Sequence, residues 1–497
     1  MQPIEFFFRA ARRTPNELAV ITPDRRLTFA ELAAEVQRVA AYLNAQYPTP
    51  QARICVGCRN SVEHLIAILA VLAAGKTWVA LNPRNGDPEL QRSVEFVEPV
   101  ALLADEAMAA RIDAKGLPVH LLDGPDAGTV FRHARDSNAP FLPTYLPLDG
   151  IQAIKFTGGT SGTPKGVMQS YRGWNTNIVT QRQAYGFTSR DRYLVSAPLT
   201  HGASTYILPI LGAGGTFVFP EDIKPTALIH TIAEHAVTTL FAPPTMVTML
   251  VEAARASGEP TPSLRHLIYG GAAMRPNRIQ EAQEVFGPVI AATYGQTEAS
   301  QVISILSAAE LMQPELMTSV GRPSLFTDVA IMDKDGRLLP AGEHGEIVVR
   351  GDLIMNGYWR MPDQTAATII DGWLHTGDLG LFDERGYLFL RDRLREVIIT
   401  GGFNVYPSDV ETVLSKHPSV AQCAVIGIPD DRWGEAVHAA VEPRDNAEID
   451  AQALIAFVKQ ELGSVKAPKA IHVFASLPMS SVGKILKTEV REQILKR

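Results

Sequence analysis

One segment of the 497-residue sequence concentrates glycines, hydroxyls and a lysine between Phe156 and Gly166. Its letters are FTGGTSGTPKG, and it follows the run IQAI, which predicts a strand. Glycines let backbone N–H groups approach a phosphate, hydroxyls add donors, and a lysine supplies a cation. The segment therefore predicts a polyphosphate cradle, whose residues are Thr157, Gly158, Gly159, Thr160, Ser161, Gly162, Thr163 and Lys165. A Walker A loop is excluded because Pro164 precedes the lysine and Gly166 follows it; a flexible linker is the alternative.

Further polar and glycine-rich motifs follow the cradle in a fixed order. They are Tyr294-Gly-Gln-Thr-Glu298, Trp373-Leu-His-Thr-Gly-Asp378, Arg393-Leu-Arg-Glu396, Gly401-Gly-Phe-Asn404 and Ser481-Val-Gly-Lys484. A carboxylate such as Glu298 suits a Mg²⁺ ion that bridges phosphates, because hard cations prefer oxygen ligands. Each residue taken alone also has a structural alternative: a helix cap for Glu298, a surface turn for Asp378 and a solvated side chain for Lys484.

In this order the motifs resemble those of the adenylate-forming superfamily, which comprises acyl- and aryl-CoA synthetases, nonribosomal-peptide adenylation domains and luciferases. The similarity runs from Leu27-Thr-Phe-Ala-Glu-Leu32 almost to the C-terminus. Among these groups the sequence is most similar to an acyl-CoA synthetase. The resemblance implies a ligase that uses ATP and Mg²⁺ to convert a carboxylic acid into an acyl-adenylate with release of pyrophosphate. The acyl group would then pass to coenzyme A, with release of AMP.

The resemblance also implies how ATP and its metal are held. Tyr294 would pack on adenine, which Gly270 and Gly271 would border, and Thr297 would donate to the α-phosphate. Glu298 and Thr160 would hold Mg²⁺ and count, with Lys484, as the catalytic residues. Asp378 would accept hydrogen bonds from both ribose hydroxyls, for which a carboxylate has the acceptor capacity, and Arg393 would reach the same sugar.

Lys484 is the predicted residue for the first half-reaction. Attack of a carboxylate on the α-phosphate brings two anions together, so a cation that touches both groups would stabilise the transition state. The position of Lys484 near the C-terminus suits delivery by a mobile domain. Three features depart from the usual family pattern: Ser480-Ser-Val replaces the Thr more usual before the Gly-Lys pair, Lys487 stands where Arg is common, and Arg395 where Lys or Asp is usual.

Arg395 falls at the family's hinge position. The expected organisation is an N-terminal adenylation domain over 1–393, a hinge at 394–395 and a C-terminal lid over 396–497. One orientation of the lid would deliver Lys484, and the other would bring Gly401 and Gly402 in to line a channel for coenzyme A. An ordinary ion-paired arginine is the alternative for Arg395.

The acyl pocket would be bordered by His201, Ala272, Ala273 and Gly295. Small residues leave room for a flat or extended group, which favours an aromatic or medium aliphatic monocarboxylate and a role in fatty acid metabolism. The segment after His201, GASTY, lacks the Phe-Asp pair with which amino-acid-activating relatives bind an α-ammonium group. Burying an unpaired cation costs free energy, which argues against an amino acid as the substrate. A core histidine is the alternative for His201.

The elements that must position these residues follow from periodicity. Thr28-Phe-Ala-Glu31 predicts a capping box, and apolar residues from Phe29 to Leu43 recur at helical spacing. Short β-branched runs alternate with helices as far as Phe241, which predicts an α/β fold with largely parallel sheets. Short strands and turns from Val329 predict a β-rich subdomain, and about a hundred residues after Arg393 suffice for a small α+β domain.

Composition limits the remaining function classes. A net charge of −7 argues against a nucleic-acid surface, so the expected partners are the acid, ATP and coenzyme A. The most apolar stretch, Leu65 to Ala74, is shorter than the ~20 residues that span a bilayer, and predicts a buried helix. No secretory signal is recognised, which favours the cytoplasm. Three cysteines, Cys55, Cys58 and Cys423, imply no disulfide framework, and the first two predict buried thiols in a strand.

Three alternative functions remain from the sequence. One is an adenylating enzyme that loads a carrier-protein phosphopantetheine, and another is a luciferase-like oxygenase. The third is a nucleotide-binding scaffold without chemistry, against which the retention of Thr160, Glu298, Asp378 and Lys484 argues. The oligomeric state stays open, with a homodimer as one alternative.

Overall fold

The computed structural model describes residues 1–124, 128–157, 164–401, 403–444, 447–480 and 484–496, and excludes the side chains of Arg393, Arg395 and Asn404. The chain forms two compact units. The first unit is Met1–Val329 with Val349–Leu374, and the second is Ala330–Val348 with His375–Arg497. The boundary at 393 and the hinge at 394–395 stay predictions, since compactness alone does not locate a hinge.

Helices and strands alternate through most of the described chain. The α-helices α1 to α16 are Ile4–Arg13, Phe29–Gln46, Val62–Ala73, Asp87–Val97, Glu106–Ala109, Val130–Asp136, Tyr171–Tyr185, Ile207–Ala213, Pro225–Glu234, Pro244–Ser257, Pro276–Phe286, Ala308–Leu311, Pro362–Thr368, Pro407–Leu414, Ala451–Lys466 and Lys487–Leu495. The strands β1 to β26 are Leu18–Ile21, Arg26–Thr28, Arg53–Gly57, Thr77–Ala80, Ala101–Ala104, Val119–Leu121, Ile151–Thr157, Lys165–Ser170, Arg192–Leu194, Thr216–Val218, Thr239–Ala242, His266–Gly270, Ile290–Gln296, Ala299–Leu306, Ser319–Pro323, Thr327–Met332, Gly345–Gly351, Gly357–Tyr358, Ile369–Ile370, Trp373–Phe382, Leu388–Arg393, Ile398–Thr400, Phe403–Val405, Val420–Asp430, Gly434–Pro443 and Ala470–Val473. Short 3-10 helices include Gly202–Tyr206, Pro314–Leu316 and Leu394–Glu396.

The first unit contains two largely parallel sheets, as predicted. One has the order β15-β14-β13-β12-β11-β9-β10-β1-β2, and its strands from β13 through β1 run parallel to their neighbours. The other has the order β18-β8-β7-β4-β3-β5-β6, in which β7 and β8 form an antiparallel pair and the strands from β7 to β6 are parallel. The α/β fold class is therefore confirmed.

Local signals in the N-terminal region formed the elements that they predict. The Thr28 hydroxyl accepts a hydrogen bond from the Glu31 N–H (3.2 Å), and the Glu31 carboxylate accepts one from the Thr28 N–H (2.8 Å), which confirms the capping box. The apolar helix α3 is buried along almost its whole length and is followed by Gly75 at φ +64°. No helix in the described ranges is both long and apolar enough to cross a bilayer.

All three cysteines are buried, and none of them forms a disulfide. Cys55 lies in β3, whereas Cys58 follows the end of that strand at Gly57, so the prediction that both lie in a strand is wrong for Cys58. Burial raises the pKa of the Cys55 and Cys58 thiols well above the ordinary value. The two thiols therefore stay protonated at neutral pH.

The second unit contains the β-rich subdomain and the small α+β domain that were predicted after Val329. Strands β16, β17, β20 and β21 are neighbours in that order, and the Gly336 N–H donates to the Asp333 carbonyl (3.2 Å) in the predicted turn. Strands β23, β22, β25 and β24 form a second sheet, to which β26 adds in parallel with β25. Its core includes Val410, Leu454 and Val458, so the helices α14 and α15 pack on this sheet.

Candidate active site

The antiparallel pair β7/β8 ends where the predicted phosphate cradle begins. Thr157 and Lys165 are directly opposite each other as the last pair of residues in this ladder. The Lys165 ammonium lies 5.5 Å from the centroid of the Tyr358 ring. The remaining predicted cradle residues, Gly158, Gly159, Thr160, Ser161, Gly162 and Thr163, lie outside the described residues.

Glu298 occupies the tight turn between β13 and β14. Its carboxylate accepts a hydrogen bond from the Tyr358 hydroxyl (2.9 Å), and its carbonyl accepts one from the Met355 N–H (2.7 Å). Burial, together with the adjacent Glu298 charge, raises the pKa of Tyr358, so the hydroxyl remains a donor. A turn between two strands is not a helix N-terminus, and the helix-cap alternative for Glu298 is therefore wrong.

Buried polar side chains of β8 and α7 support the turn that carries Thr297 and Glu298. Gln169 donates to the Thr297 carbonyl (2.8 Å) and accepts from the Trp174 indole N–H (3.1 Å). Asn177 donates to the Ser300 carbonyl (2.7 Å). Sequence analysis missed these side chains, although polar residues on the buried face of a helix are a recognisable signal because buried amides require partners.

Gly270 and Tyr294 lie on neighbouring parallel strands. Gly270 ends β12 opposite Thr293 of β13, so Gly270 and Tyr294 are near the same edge of the sheet. Gly271 has φ +85°, and Ala272 and Ala273 after it are exposed. Ligands of open α/β sheets bind beyond the carboxyl ends of parallel strands, and these predicted nucleotide and acid residues occupy that edge.

Gly295 permits a close approach between β13 and β14. A Cβ atom at this position would lie only 2.2 Å from the backbone carbon of Gln301, which itself has φ +76°. Left-handed φ values are unfavourable for residues other than glycine, so the strands hold Gln301 in a strained conformation. Gly295 thus has a packing requirement that the sequence did not reveal, beside its predicted place at the acyl pocket.

His201 immediately precedes the short helix Gly202–Tyr206. Its Nδ1 lies 3.1 Å from the Thr200 hydroxyl, and its carbonyl accepts from the Ser204 hydroxyl (2.5 Å). Burial, reinforced by the nearby Lys155 ammonium, lowers the pKa of His201 to about 4. The imidazole is therefore neutral at physiological pH, with Nδ1 occupied by its hydroxyl neighbour.

Lys155 is a buried lysine that sequence analysis missed. It is 6% exposed on β7, and its ammonium donates to the Ser204 hydroxyl (2.6 Å) and the His201 carbonyl (3.4 Å). It also lies over the rings of Trp78 (5.1 Å) and Trp174 (5.3 Å). No carboxylate in the described part of the chain pairs with it, and burial lowers the pKa of Lys155 to about 7. The available signal was a lysine inside a strand otherwise dominated by apolar residues.

In the second unit, Asp378 and Arg393 are directly opposite each other on β20 and β21. Asp378 is buried, and its N–H donates to the Thr376 hydroxyl (3.1 Å). A position inside a strand overturns the surface-turn alternative for Asp378. The backbone register thus brings the two predicted ribose residues together, while the Arg393 side chain lies outside the described structure.

Lys484 is exposed beside a short backbone bridge. Its carbonyl accepts from the Ser480 N–H (2.7 Å), and its own N–H donates to the Ser480 hydroxyl (3.0 Å). Gly401, at φ +57°, donates to the Trp433 carbonyl (2.8 Å), and a Cβ there would lie 2.9 Å from the Trp433 ring. Gly402 and the side chain of Arg395 are outside the described structure. The roles of all these residues stay predictions.

Comparison with known proteins defines the family. The model of the AMP-binding enzyme family matches residues 7–359, and that of the AMP-binding enzyme C-terminal domain matches residues 409–484. Feruloyl-CoA synthase of an Amycolatopsis species is 37% identical, with 98% of this chain and 97% of that protein covered. The medium/long-chain-fatty-acid–CoA ligase FadD8 of Mycobacterium tuberculosis is 34% identical, with 97% and 88% covered.

Two solved structures are similar over almost the whole chain. The amide bond synthetase McbA of Marinactinospora thermotolerans has a TM-score of 0.90 at 33% identity, with 99% of each chain covered. The o-succinylbenzoate coenzyme A synthetase MenE of Bacillus subtilis, in complex with ATP and a magnesium ion, has a TM-score of 0.86 at 28% identity, again with 99% of each covered. The chain therefore belongs to the AMP-binding enzyme family of adenylate-forming enzymes and is an AMP-forming acid–CoA ligase.

Proposed function

We propose that this enzyme activates a fatty or aromatic monocarboxylic acid with ATP and transfers the acyl group to coenzyme A. In the first step the carboxylate oxygen attacks the α-phosphorus, and pyrophosphate leaves to give acyl-AMP. In the second step the thiol of coenzyme A, after losing its proton, attacks the acyl carbon, and AMP leaves. The main observation in support of this proposal is that Gly270 and Tyr294 lie near the carboxyl ends of neighbouring parallel strands. Glu298 lies in the turn that follows β13.

The first unit supplies the groups for the nucleotide and the metal. Tyr294 stacks on adenine, Thr297 donates to the α-phosphate, and Lys165 with the glycine-rich segment binds the phosphates. The carboxylate of Glu298 is a suitable oxygen ligand for Mg²⁺, with the Thr160 hydroxyl as a second ligand; the bound metal neutralises phosphate charge. The hydrogen bond from Tyr358 fixes the orientation of that carboxylate.

The second unit supplies the ribose residues and the catalytic lysine. Asp378, which is opposite Arg393 in the ladder, accepts from the ribose hydroxyls. The Lys484 ammonium contacts the carboxylate and the α-phosphate during the first step, where it stabilises the charge that develops. The lid then turns at 394–395 and brings Gly401 and Gly402 to the channel for coenzyme A.

The residues predicted to border the acid are themselves uncharged, which supports a monocarboxylate. His201 is neutral, and Ala272 and Ala273 present only small apolar side chains. These predicted pocket residues offer no charge of their own to pair with a second charge on the acid. The relatives named above act on aromatic and aliphatic acids, and both classes belong in a substrate panel.

Transfer to an amine is a second candidate, because one structural relative is an amide bond synthetase. A carrier-protein thiol is the third acceptor to compare. The acceptors are distinguished by supplying synthetic acyl-AMP with coenzyme A, a phosphopantetheinylated carrier or a primary amine, and measuring the acylated product. Coenzyme A is expected to react fastest. Cytoplasmic residence and a homodimer stay predictions.

The two half-reactions test the role of Lys484. We expect Lys484→Ala to lower pyrophosphate release by at least about a hundredfold, because a preorganised charge is lost at the developing anion. Thioester formation from supplied acyl-AMP is expected to change less than about threefold, because that step does not need this charge. Lys459→Ala, at an exposed position of α15, is the control and leaves both rates unchanged.

Two results would contradict the proposal. Equal loss of both half-reactions in Lys484→Ala would remove the two-orientation mechanism. Failure of the unaltered enzyme to release pyrophosphate with any fatty or aromatic acid would remove the activity itself, and would favour the nucleotide-binding scaffold.

A further inference from the structure

Lys487, three residues after Lys484, is held between two glutamates at the start of α16. Its ammonium lies 2.8 Å from a carboxylate oxygen of Glu411 and 3.2 Å from one of Glu396. The side chain is only 21% exposed. Burial by itself would lower the pKa of Lys487, but the charges of Glu411 and Glu396 outweigh it and raise that pKa. The three side chains form a charged cluster, which we call the Lys487 clamp.

On one side, the Lys487 clamp is joined to the backbone that carries Lys484. The Leu486 N–H donates to the Pro478 carbonyl (2.9 Å), and the Ser480 N–H donates to the Lys484 carbonyl (2.7 Å). Met479 and Ile485 form a bridge between these two hydrogen bonds. The backbone of Lys484 is thus fixed to residues 478–480 on one side and continues into α16 on the other.

On the other side, the Lys487 clamp includes Glu396, which directly follows the predicted hinge. Glu396 is the last residue of the 3-10 helix Leu394–Glu396. Glu411 lies on α14, and its carboxylate also accepts a hydrogen bond from the Val425 N–H of β24 (2.7 Å). Lys487 therefore connects the first residues of the predicted lid, the sheet of that lid and the Lys484 backbone.

We propose that Lys487 is a positioning residue that transmits rotation at 394–395 to the Lys484 ammonium. The inference rests on the proposed roles of Lys484 and of the hinge, and it adds a connection between them. A displacement of about 1 Å in a reacting group can cost on the order of a hundredfold in rate, so the adenylation step depends on how firmly the Lys484 backbone is held. Thioester formation does not use Lys484 and is insensitive to the same displacement.

The alternative is an ion pair that only stabilises the lid. The same unit provides a matched comparison in Lys466 of α15, whose ammonium lies 2.7 Å from the Asp409 carboxylate. That side chain is 33% exposed, and its partner lies on α14, as Glu411 does. Among the described residues Asp409 also pairs with Arg391 (3.2 Å), whereas neither Glu396 nor Lys487 pairs with Lys466 or Asp409, so this ion pair is separate from the Lys487 clamp.

The test measures both half-reactions in Lys487→Met, Lys487→Arg and Lys466→Met. We expect Lys487→Met to lower pyrophosphate release about 10- to 100-fold. Thioester formation from supplied acyl-AMP is expected to change less than about threefold, because it does not use Lys484. Lys487→Arg keeps the charge and is expected to recover most of the adenylation rate. Lys466→Met is expected to change both half-reactions by the same factor.

The outcomes separate this proposal from the function on which it rests. If Lys484→Ala loses adenylation while Lys487→Met keeps it, the clamp is wrong and the function stands. If Lys487→Met loses both half-reactions equally while remaining folded by circular dichroism, the residue is only structural. If it does not fold, Glu396→Gln, which retains the Glu411 pair, replaces it under the same criteria. Absence of pyrophosphate release from the unaltered enzyme would instead refute the proposed function.

Discussion

Replacing Lys155 by methionine should make the protein more stable at neutral pH. Burial lowers the pKa of this lysine from 10.5 to about 7, a penalty of about 5 kcal/mol on the charged form at 1.36 kcal/mol for each pKa unit. Methionine cannot make the hydrogen bond to Ser204 and loses part of the contact with the two tryptophan rings, which offsets about 2 to 4 kcal/mol of the gain from removing that penalty. Methionine fills a similar volume without a charge. We therefore expect the free energy of unfolding to rise by about 1 to 3 kcal/mol at pH 7.

The pH dependence of this difference has a definite sign. Between pH 7 and 10.5 the unfolded chain keeps a proton on Lys155 that the folded chain releases, so the stability of the unaltered protein rises with pH. The penalty is fully present below the folded pKa and disappears above the unfolded one. From pH 7 to pH 9 the advantage of Lys155→Met should shrink by about 2 kcal/mol.

Urea unfolding from pH 6 to pH 9 measures both effects. Two of the five tryptophans, Trp78 and Trp174, contact the Lys155 ammonium, so tryptophan fluorescence includes a signal from this region. Lys155→Arg is the control: it retains a charge at every pH and should be less stable than the unaltered protein without the convergence toward pH 9. A methionine variant that is less stable at pH 7, or whose difference from the unaltered protein does not vary with pH, would refute the reasoning.

Two other substitutions test the site geometry in the first unit. Tyr358→Phe removes the hydrogen bond to the Glu298 carboxylate, and should raise the Mg²⁺ concentration needed for half-maximal pyrophosphate release about tenfold; an unchanged Mg²⁺ titration would disconnect Tyr358 from the metal. Gly295→Ala places a Cβ 2.2 Å from the Gln301 backbone, and should lower the free energy of unfolding in urea by about 3 kcal/mol. Gly128→Ala, where a Cβ meets nothing within 4 Å, is the control and should be neutral, and equal effects of the two alanines would contradict the packing argument.

Features set by neighbouring residues could be predicted from the sequence. The capping box at Thr28 and the buried helix before Gly75 depend on residues a few positions apart, and both formed as expected. The motif containing Glu298 identified the family because its residue types recur in a fixed order. Both predictions use only residue types and their order in the sequence. They therefore need no knowledge of how the strands pair.

Features set by strand register could not be predicted. Tyr358 reaches Glu298 across 60 positions because β18 pairs with β8, and a two-residue strand leaves no periodic signal. Lys155 shares its strand with Gln152 and Thr157, so its residue type alone does not show that its ammonium is buried; the burial follows from the packing of Trp78 and Trp174 around it. From the sequence, Gly295 was predicted only to border the acyl pocket. In the structure the backbone of Gln301 packs directly against it.

The burial of all three cysteines has a practical consequence for measuring the second half-reaction. A disulfide dye such as Ellman's reagent reacts with thiolates, and Cys55, Cys58 and Cys423 are shielded from it in the folded protein. Disappearance of the coenzyme A thiol can therefore be followed colorimetrically without a background from the enzyme. The same dye added to a variant would reveal unfolded molecules by the colour of their newly exposed sulfhydryls, so one reagent reports both turnover and structural integrity.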